Sequence, residues 1–448
     1  MSDAAVDGAG NVIAVGGFSG TADFGGGPVT AAGSAQFIAK YSPAGSLIWL
    51  KQLDHVGGIG IERVATGPSG DITVLIYMHD GNITLDPGVI TGCPMVNSPV
   101  CYAIVRYDAA GAHGWNHHYM TPSSGGASLQ PFHDLAVDAA GDVLLTGSCE
   151  GSCDLGAGLM SGPVESSFNG SANTTVLKLG GAAGTPLWST MIGVVGPDAG
   201  RFIGVTGAGD VLVAGKQETP DNLNDPVERG VFAARLSAAG APVWRRYLGV
   251  TMDGTTALHH AAIDPAGHTM LTGHFANGID FGAGPLSAGR YLIKLDPSSG
   301  TLWTTAISGA QATAMSADGL GNLFFAGVAS APSYDLGSGP TPTPGGMLAA
   351  WVDAATGAPY DSRVYTGATS YAVTAFAADA AGRAVIGGGS RGPSISARGR
   401  SPGRRPRTAS SRSSPREPGS IEGVNPGRIG VGAFGAFQRC AGWPLPIT

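Results

Sequence analysis

The feature that most constrains this chain is a cassette that returns seven times along it. A complete copy holds a short apolar strand, a turn of Asp and Gly, a second strand ending in Gly, a D-[FL]-G loop and two further strands. In the first copy, residues 4–18 read AAVDGAGNVIAVGGF, followed by DFG at Asp23, FIAKY at Phe37 and GSLIW at Gly45. Such internal similarity indicates an architecture of one supersecondary unit per copy.

Three landmarks set the copies in register. The first turns begin at Asp7, Pro68, Asp138, Thr206, Asp264, Asp318 and Asp379. The D-[FL]-G loops begin at Asp23, Asp154, Asp280 and Asp335, with a divergent LDPG at Leu85 and no counterpart in copy four. The fourth strands place Trp four residues after Gly at Gly45/Trp49, Gly111/Trp115, Gly184/Trp188 and Gly240/Trp244, and three residues after it at Gly300/Trp303. We therefore expect the five Trp side chains to pack between adjacent sheets, with the indole N–H reaching a nearby carbonyl.

The strands alternate with turns throughout, and helical periodicity is absent before residue 390. Runs such as NVIAVGGF and FIAKY are rich in β-branched and aromatic residues and are bounded by Gly, Pro, Asp and Asn. Four antiparallel strands cannot bury both of their faces alone, but radial stacking of the units buries them and leaves only short edges. The sequence predicts an all-β fold, a β-propeller of about seven four-stranded blades with an incomplete last blade.

The composition divides the chain into two regions. Residues 1–389 form the predicted propeller, with six full repeats and the first half of a seventh. The tail, residues 390–448, holds ten Arg and two acidic residues, which leaves 15 basic and 30 acidic residues in the propeller region. An acidic body gives no electrostatic footprint for nucleic acid, so nucleic acid is not an expected partner.

The tail has the composition of a disordered basic arm, but the genetic code suggests another origin. Copy seven begins normally and then lacks its D-[FL]-G loop and third strand. If the tail is read one base out of register, with codons ending in G or C, residues 395–401 become DLGAGAL and residues 408–417 permit DGFVAKLAAG. We therefore interpret residues 390–448 as a frameshift product, a hypothesis that the coding DNA would test.

Four cysteines lie in two close pairs in the loops of copies two and three, namely Cys93 with Cys101 and Cys149 with Cys153. Pairs at such loop positions favour disulfides and an oxidising compartment, although neighbouring free thiols remain the alternative. Met1 stands three residues before the first strand and no export signal precedes it, so we expect a misplaced start rather than a cytoplasmic protein. No apolar run is long enough to predict a transmembrane segment.

The whole cassette, A-x-D-x-x-G-N-V-x-x-x-G, then D-F-G, then F-[IV]-A-K-[YL]-x-x-x-G-x-x-x-W, resembles the bacterial β-propeller repeats known as SBBP repeats. The resemblance covers about residues 3–389. It implies an exported or surface-associated propeller and does not imply an activity. Copy two departs from the pattern because it lacks the turn Asp, and copy four because it lacks the D-[FL]-G loop.

Candidate chemical sites are weak. A basic residue recurs in the third strands at Lys40, Arg106, Lys178, Arg235 and Lys294. These side chains could ring a ligand channel, but we expect each to pair with a turn Asp or with solvent. The adjacent histidines His117–His118 and His259–His260 are interpreted as solvated surface residues, because strand neighbours point to opposite faces. A weak calcium candidate is the acidic loop that holds Glu218, Asp221, Asp225 and Glu228, although it lacks the spacing of an EF-hand.

The sequence therefore predicts no catalytic residues, no cofactor and no established metal site. We favour a non-catalytic extracellular scaffold that presents variable loops to a protein or glycan partner. The alternative is a propeller enzyme or cofactor-binding protein with its ligand in the central channel. That alternative predicts acidic, His or Arg side chains with shifted pKa values around one channel mouth. Inner strands that present only small groups, such as Ala5, Ala136, Ala262 and Ala375, would remove its support.

Overall fold

A computed structural model describes residues 1–86, 89–93, 100–120, 130–161, 172–193, 198–219, 228–251, 256–276, 278–318, 321–366, 370–378, 384–391, 396–399 and 438–440. Every regular element in these ranges is a β-strand. The described residues accordingly contain no helix with the length and apolar character needed to cross a bilayer. The predicted all-β class is confirmed.

The first two blades share one strand. Blade 1 is built from β1 (Asp3–Val6), β2 (Val12–Asp23), β3 (Pro28–Tyr41) and the first half of β4 (Leu47–Thr66). Blade 2 is built from the second half of β4, β5 (Ile72–Asp86), β7 (Val100–Tyr107) and β8 (His113–Met120), with β6 (Val89–Cys93) paired to β5. The first half of β4 pairs with β3 and its second half pairs with β5, so this strand runs unbroken from one blade into the next.

Blades 3 and 4 repeat the antiparallel meander. Blade 3 consists of β9 (Gln130–Val137), β10 (Val143–Glu150), β13 (Ala172–Leu179) and β14 (Pro186–Ile192), with a small hairpin of β11 (Ser152–Asp154) and β12 (Leu159–Ser161). Blade 4 consists of β15 (Asp198–Val205), β16 (Val211–Thr219), β17 (Glu228–Leu236) and β18 (Pro242–Thr251).

Blades 5 and 6 follow the same plan and also carry hairpins between the second and third strands. Blade 5 consists of β19 (Ala257–Ile263), β20 (Thr269–Phe275), β23 (Gly289–Leu295) and β24 (Thr301–Ile307), with the hairpin β21 (Ile279–Asp280) and β22 (Pro285–Leu286). Blade 6 consists of β25 (Ala310–Ala317), β26 (Leu323–Ala329), β29 (Gly346–Val352) and β30 (Pro359–Thr366), with the hairpin β27 (Ser333–Tyr334) and β28 (Thr341–Pro342).

A seventh sheet begins where the copies begin to fail. It holds β31 (Ser370–Ala378), β32 (Ala384–Arg391) and the short β34 (Gln438–Cys440), while β33 (Ser396–Gly399) adds to the outer edge of blade 6. The remainder of residues 390–448 lies outside the described ranges. The frameshift interpretation, the division at residue 389 and the count of seven blades therefore stay predictions.

Seven hydrophobic clusters, counted among the described residues, hold neighbouring sheets together. Six of them join consecutive sheets from blade 1 to the seventh sheet. The remaining cluster joins Val385 of β32 to Val12 and Ala14 of β2. Because this contact returns to the first blade, the sheets lie around a common axis and the molecule is a β-propeller.

The third strand of blade 1 shows why these apolar runs form fully buried strands. Within FIAKY, Phe37 and Ala39 belong to the cluster shared with β32, whereas Ile38 belongs to the cluster shared with blade 2. Successive side chains of a strand point to opposite faces, and both faces of a blade are covered by neighbours. A continuous apolar run is therefore the pattern that this position requires.

In blades 1, 3, 4, 5 and 6 the leading side chain of the first turn accepts hydrogen bonds from the turn amides. In blade 1, Asp7 Oδ1 accepts hydrogen bonds from the amides of Ala9 (3.0 Å) and Asn11 (2.8 Å). Gly10 takes a φ of 78° and its amide donates to the Asp7 carbonyl at 2.8 Å. Positive φ is inexpensive only for Gly, so D-x-x-G-N is the sequence that this turn demands.

Candidate functional site

The meander gives the propeller two unlike ends. The turns between first and second strands and between third and fourth strands lie at one end, which we call the turn face. The loops between second and third strands and the connections between blades lie at the other end, which we call the loop face. The residues that the sequence singles out are concentrated at the turn face.

At the turn face, five Trp side chains fasten each blade to the next. Every indole Nε1–H donates to a backbone carbonyl in the following blade. The acceptors are Ala109 for Trp49 (3.3 Å), Gly181 for Trp115 (2.9 Å), Ala238 for Trp188 (3.2 Å), Pro297 for Trp244 (2.8 Å) and Ala354 for Trp303 (3.2 Å). Each ring also packs on the cluster between the two blades.

The Gly of the Gly/Trp motif contacts the preceding blade, whereas the Trp that follows it contacts the next blade. A Cβ added to Gly240 would lie 2.7 Å from the ring of Trp188, and one added to Gly357 would lie 2.7 Å from the ring of Trp303. Both glycines also have positive φ, 83° and 71° respectively. The turn at Gly240 thus receives the indole of Trp188 and directs its own Trp244 forward, whereas the turn at Gly357 receives Trp303 and is followed by Tyr360 in place of a Trp.

The irregular spacing in copy five has a simple structural cause. Ser299 adopts φ 76° and its amide donates to the Asp296 carbonyl at 3.0 Å, as the amide of Gly240 donates to Ser237. Ser299 therefore occupies the left-handed position, and it lies four residues before Trp303. The equivalent residue is Ser299 and not Gly300.

The recurrent basic residues belong to the same network and do not ring the channel. Lys40 Nζ lies 3.1 Å from Asp7 Oδ2 and also donates to the Ala109 carbonyl at 3.1 Å, the carbonyl that accepts from Trp49. Arg235 and Trp244 share the Pro297 carbonyl in the same way. A carbonyl has two lone pairs, so it can accept both donors. We call this arrangement of carboxylate, cation, carbonyl and indole the blade latch.

The carboxylate partner lies at the first turn residue, at the fifth, or at both, as for Lys178, which pairs with Asp138 at 2.8 Å and with Asp142 at 3.2 Å. Lys40 and Lys294 pair with the first residue of the turn, Asp7 and Asp264. Arg106 and Arg235 pair instead with the fifth residue, Asp71 at 2.5 Å and Asp210 at 2.7 Å. In copy two the amide of Gly67 donates to the Asp71 carbonyl, as the amide of Asp7 donates to the Asn11 carbonyl in copy one. The turn of copy two therefore begins at Gly67, one residue before the Pro68 that the sequence suggested.

Other predicted sites are placed only in part. Cys93 and Cys101 have sulfur atoms 2.00 Å apart, and those of Cys149 and Cys153 are 2.36 Å apart, so both pairs are at disulfide distance. Of the calcium candidates, Asp221 and Asp225 lie outside the described residues, as do the side chains of Glu218 and Glu228. The described residues contain no group of three or more His, Cys, Asp or Glu side chains that could hold a metal ion.

The second constellation lies in the central channel, and β-bulges create it. Pairing between first and second strands is irregular at Glu62 in β4, Arg201 in β15, His259 in β19 and Thr313 in β25. Each of these residues lies five positions before the first residue of its turn. A bulge adds one residue and turns its side chain away from regular alternation. We call the residues at this position the bulge ring, which comprises Ser2, Glu62, His133, Arg201, His259, Thr313 and Thr374. Ser2 holds the equivalent position just before β1, whose pairing with β2 is regular.

One residue further along each strand, charged and aromatic groups link neighbouring blades. Arg63 Nε lies 3.3 Å from Asp134 Oδ1. Asp3 Oδ2 accepts from the amide of Val64 at 2.9 Å, and Asp134 Oδ2 accepts from the amide of Ile203 at 3.0 Å. These carboxylates therefore satisfy backbone donors at the exposed edge of the next blade's first strand.

Residues of blades 1 to 5 enclose a cavity of about 840 Å³ at the loop face of the channel. Five members of the bulge ring line it, namely Ser2, Glu62, His133, Arg201 and His259. Two cations in this lining, Arg201 and Lys216, have no carboxylate within ion-pair distance among the described residues. Arg201 Nη1 lies 3.4 Å from His133 Nδ1 instead. Tyr77, Tyr102 and Phe202 add aromatic surface.

The channel shifts the pKa values of its ionisable groups. Burial raises the pKa of Asp3 to about 7, against the opposing effect of Arg63 and of nearby amides. Burial is also the main cause that lowers the pKa of His133 to about 3, and the charges of Arg201, Arg63 and Lys216 lower it further. Burial raises the pKa of Glu62 as well, with Arg63 opposing. His133 is therefore neutral at physiological pH, and its ring does not add to the positive charge.

The interpretation of His259–His260 as solvated surface residues is wrong. Both side chains are partly buried at the channel, where His259 Nε2 lies 2.8 Å from His274 Nδ1 and the His260 ring lies 4.7 Å from the Phe202 ring. Burial lowers the pKa of His260 to about 4. The argument from alternation failed because the bulge at His259 interrupts that alternation.

The inner strands also contain the predicted small residues, but these do not define the channel. Ala5, Ala136 and Ala262 pack against the clusters between blades, and the side chain of Ala375 is outside the described part. The sequence signal for the cavity was the polar residue five positions before each turn, in strands that are otherwise apolar. This polar residue does not stand out when the copies are aligned on their turns, because its residue type differs among the copies.

No family model matches the chain, and no curated protein matches it. Among solved structures, the β-propeller domain of the trilobed protease from Pyrococcus furiosus is similar over 88% of this chain and 93% of that one, with 9% identity and a TM-score of 0.44. A protein of unknown function from Dyadobacter fermentans gives 16% identity over 75% and 92%, with a TM-score of 0.37. The Dos1 propeller gives 10% identity over 76% and 93%, also with a TM-score of 0.37. At these values none of them supports a functional argument.

Proposed function

We propose that this propeller binds a small molecule in the loop-face cavity of its central channel. The observation that carries the proposal is the bulge ring, which brings side chains from five blades into one cavity. Bulges cost regular hydrogen bonds and are over-represented beside functional sites, where they redirect a side chain. A scaffold that used only its outer loops would not require Arg201 and His259 at these bulges.

The size and lining of the cavity support the same conclusion. Ligand pockets usually occupy about 300–1,000 Å³ and combine apolar walls with a few convergent polar groups. This cavity of about 840 Å³ joins Tyr77, Tyr102 and Phe202 to the polar bulge ring. Ionisable groups with shifted pKa values in such a cleft are a general mark of a functional site.

A thermal-shift screen with a chemically diverse small-molecule library tests the proposal. Ala257 lines the cavity, so Ala257→Trp is expected to fill it and to abolish the stabilisation that library compounds give the unsubstituted protein. Leu302→Trp is the matched control, because Leu302 is exposed at the turn face. The milder Ala257→Leu replaces the Trp variant if that variant does not fold. A library whose compounds stabilise all three proteins equally, or none of them, would contradict a channel ligand.

We further propose that the protein works in an oxidising, extracellular setting. The two cysteine pairs at disulfide distance support this, because such pairs persist mainly in secreted and periplasmic proteins. Likeness to exported SBBP-type repeats points the same way. Thiol titration of denatured protein purified from the native cell surface would contradict the idea if Cys93, Cys101, Cys149 and Cys153 all reacted without prior reduction. Presentation of loops to a protein or glycan stays a prediction.

A further inference from the structure

We propose that the channel ligand carries a carboxylate or phosphate group, which Arg201 and Lys216 bind. This inference rests on the proposed function and gives the chemical class of its ligand. The cavity holds three basic side chains, Arg63, Arg201 and Lys216, and one acidic side chain, Glu62. Because Arg63 pairs with Asp134, the lining keeps two cations without a carboxylate partner in the described ranges against one acid, and this balance favours an anion.

The three cations are not equivalent. Arg63 is neutralised by Asp134, whose Oδ1 lies 3.3 Å from its Nε. Arg201 and Lys216 have no such partner in the described ranges, and Arg201 faces the neutral ring of His133 instead. A guanidinium held by a neutral acceptor keeps its full charge, so its remaining donors are available to an oxyanion.

The setting of Arg201 also differs from that of Arg106, Arg235 and Arg245. Arg106 and Arg235 both pair with turn carboxylates, and Arg245 pairs with Asp198 at 3.0 Å. Arg201 is half-buried, and burial lowers its pKa below the usual value. A half-buried cation without a counter-ion is unfavourable in the free protein, and an anionic ligand would relieve that cost.

The bulge explains how Arg201 comes to face the cavity. The register of β15 and β16 shifts between Gly200 and Phe202, so Arg201 is the extra residue of the first strand. Lys216 lies on β16, opposite Ala199. Both cations thus belong to blade 4, while Glu62 belongs to blade 2. The separation places the acid and the two cations on different blades, so an anion would be oriented toward blade 4.

Aromatic groups at the same cavity suit a planar body attached to the anionic group. Phe202 follows Arg201 directly, and Tyr77 and Tyr102 line blade 2, where their ring centroids are 5.8 Å apart. Aromatic probes with and without charge therefore fit this cavity, namely benzoate, phenyl phosphate and benzamide. Benzamide has nearly the shape of benzoate and carries no charge.

Isothermal titration calorimetry at fixed ionic strength tests the inference with these three probes. We expect benzoate or phenyl phosphate to bind more tightly than benzamide, and the difference to shrink as salt is added. Arg201→Gln and Lys216→Gln should each weaken anion binding about ten- to a hundredfold, the effect of removing one charge-assisted hydrogen bond. The affinity for benzamide should not change.

Arg363→Gln is the matched control, because Arg363 pairs with Asp361 in the outermost strand of blade 6, away from the cavity. Arg201→Lys keeps the charge and serves if the Gln variant does not fold; it should retain part of the anion affinity. Equal affinity for charged and uncharged probes, unchanged anion binding in both Gln variants, or binding of no probe would overturn the anion assignment. Binding of benzamide alone would overturn it while leaving a channel ligand intact, whereas failure of the library screen removes both.

Discussion

The turn face and the loop face of this propeller are built by opposite rules. At the turn face, donors and acceptors are matched: the Ala109 carbonyl accepts from both Lys40 and Trp49, and Asp7 pairs with that Lys. At the loop face, Arg201 and Lys216 line a cavity without a carboxylate partner in the described structure. The positions that repeat regularly, at the turns, thus hold neighbouring blades together, whereas the positions at the bulges line the cavity.

This difference shows which sequence positions can vary among the copies of a repeat protein. A cation paired with a turn carboxylate recurs in five of the described blades, with Lys or Arg as the cation. In blades 1, 4 and 5 the cation and the indole also share one carbonyl, which completes the blade latch. The seven positions of the bulge ring hold five residue types, namely Ser, Glu, His, Arg and Thr. Stability of repeat arrays depends on interfaces between neighbours, so those interfaces constrain the sequence while the bulges do not.

The largest expected effect comes from breaking a blade latch. Lys40→Met leaves Asp7 without its cation, and the side chains of both residues are at most 5% exposed. We expect a loss of about 3–5 kcal/mol in the free energy of unfolding, measured by urea denaturation. Lys51→Met is the control, because the more exposed Lys51–Asp86 pair should cost less than about 1 kcal/mol. Equal losses would show that the latch is not special.

The next effect tests the packing of Trp on Gly. Gly240→Ala brings a methyl group to 2.7 Å from the Trp188 ring at a φ of 83°. Backbone strain and overpacking together predict a loss of about 3 kcal/mol. Gly20→Ala meets no atom within 4 Å at a φ of 68°, so it should cost only the strain, about 1 kcal/mol. Thermal unfolding of the two variants compares them, and a smaller loss at Gly240 would contradict this account of the motif.

A third prediction concerns pH and the channel. The pKa of Asp3 is about 7 in the folded protein and the ordinary value is 3.8, so the folded state holds this proton more tightly than the unfolded chain. Its stabilising contribution is complete below a pH of about 4 and is lost as the pH rises through 7. The Tm of Asp3→Asn should therefore fall less between these values than that of the unsubstituted protein. Asp23→Asn, at an exposed carboxylate, should follow the unsubstituted protein, and parallel curves for all three would refute the assignment.

The smallest effect is a stabilisation. Ser299 holds the left-handed position of its turn, with φ 76°, where the other copies have Gly. Ser299→Gly should raise the free energy of unfolding by about 0.5 kcal/mol, since relief of strain exceeds the added freedom of the unfolded chain. Ser298→Gly, at the neighbouring position without positive φ, should be neutral or destabilising. A loss of stability in Ser299→Gly would place the equivalent residue at Gly300 after all.

Much of the fold could be predicted because the same turn, strand and aromatic positions recur in successive copies of the cassette. The turn at Asp7, the strand FIAKY and the aromatic at Trp49 recur, so one copy explains the others. The cavity could not be predicted in the same way. Arg201 and His259 lie at bulges, and a bulge reverses which face a side chain takes without leaving a fixed residue type behind. The rule that successive side chains point to opposite faces holds in the regular strands, and the same rule led to the wrong prediction for His259.

The unbroken strand β4 has a mechanical consequence. It begins at the rim of blade 1 and ends beside the axis in blade 2, and one cluster of apolar side chains covers both halves. Separating these two blades would therefore require breaking the hydrogen bonds of one continuous strand. Amide protons near Ile61 and Ile76 should consequently be among the last to exchange.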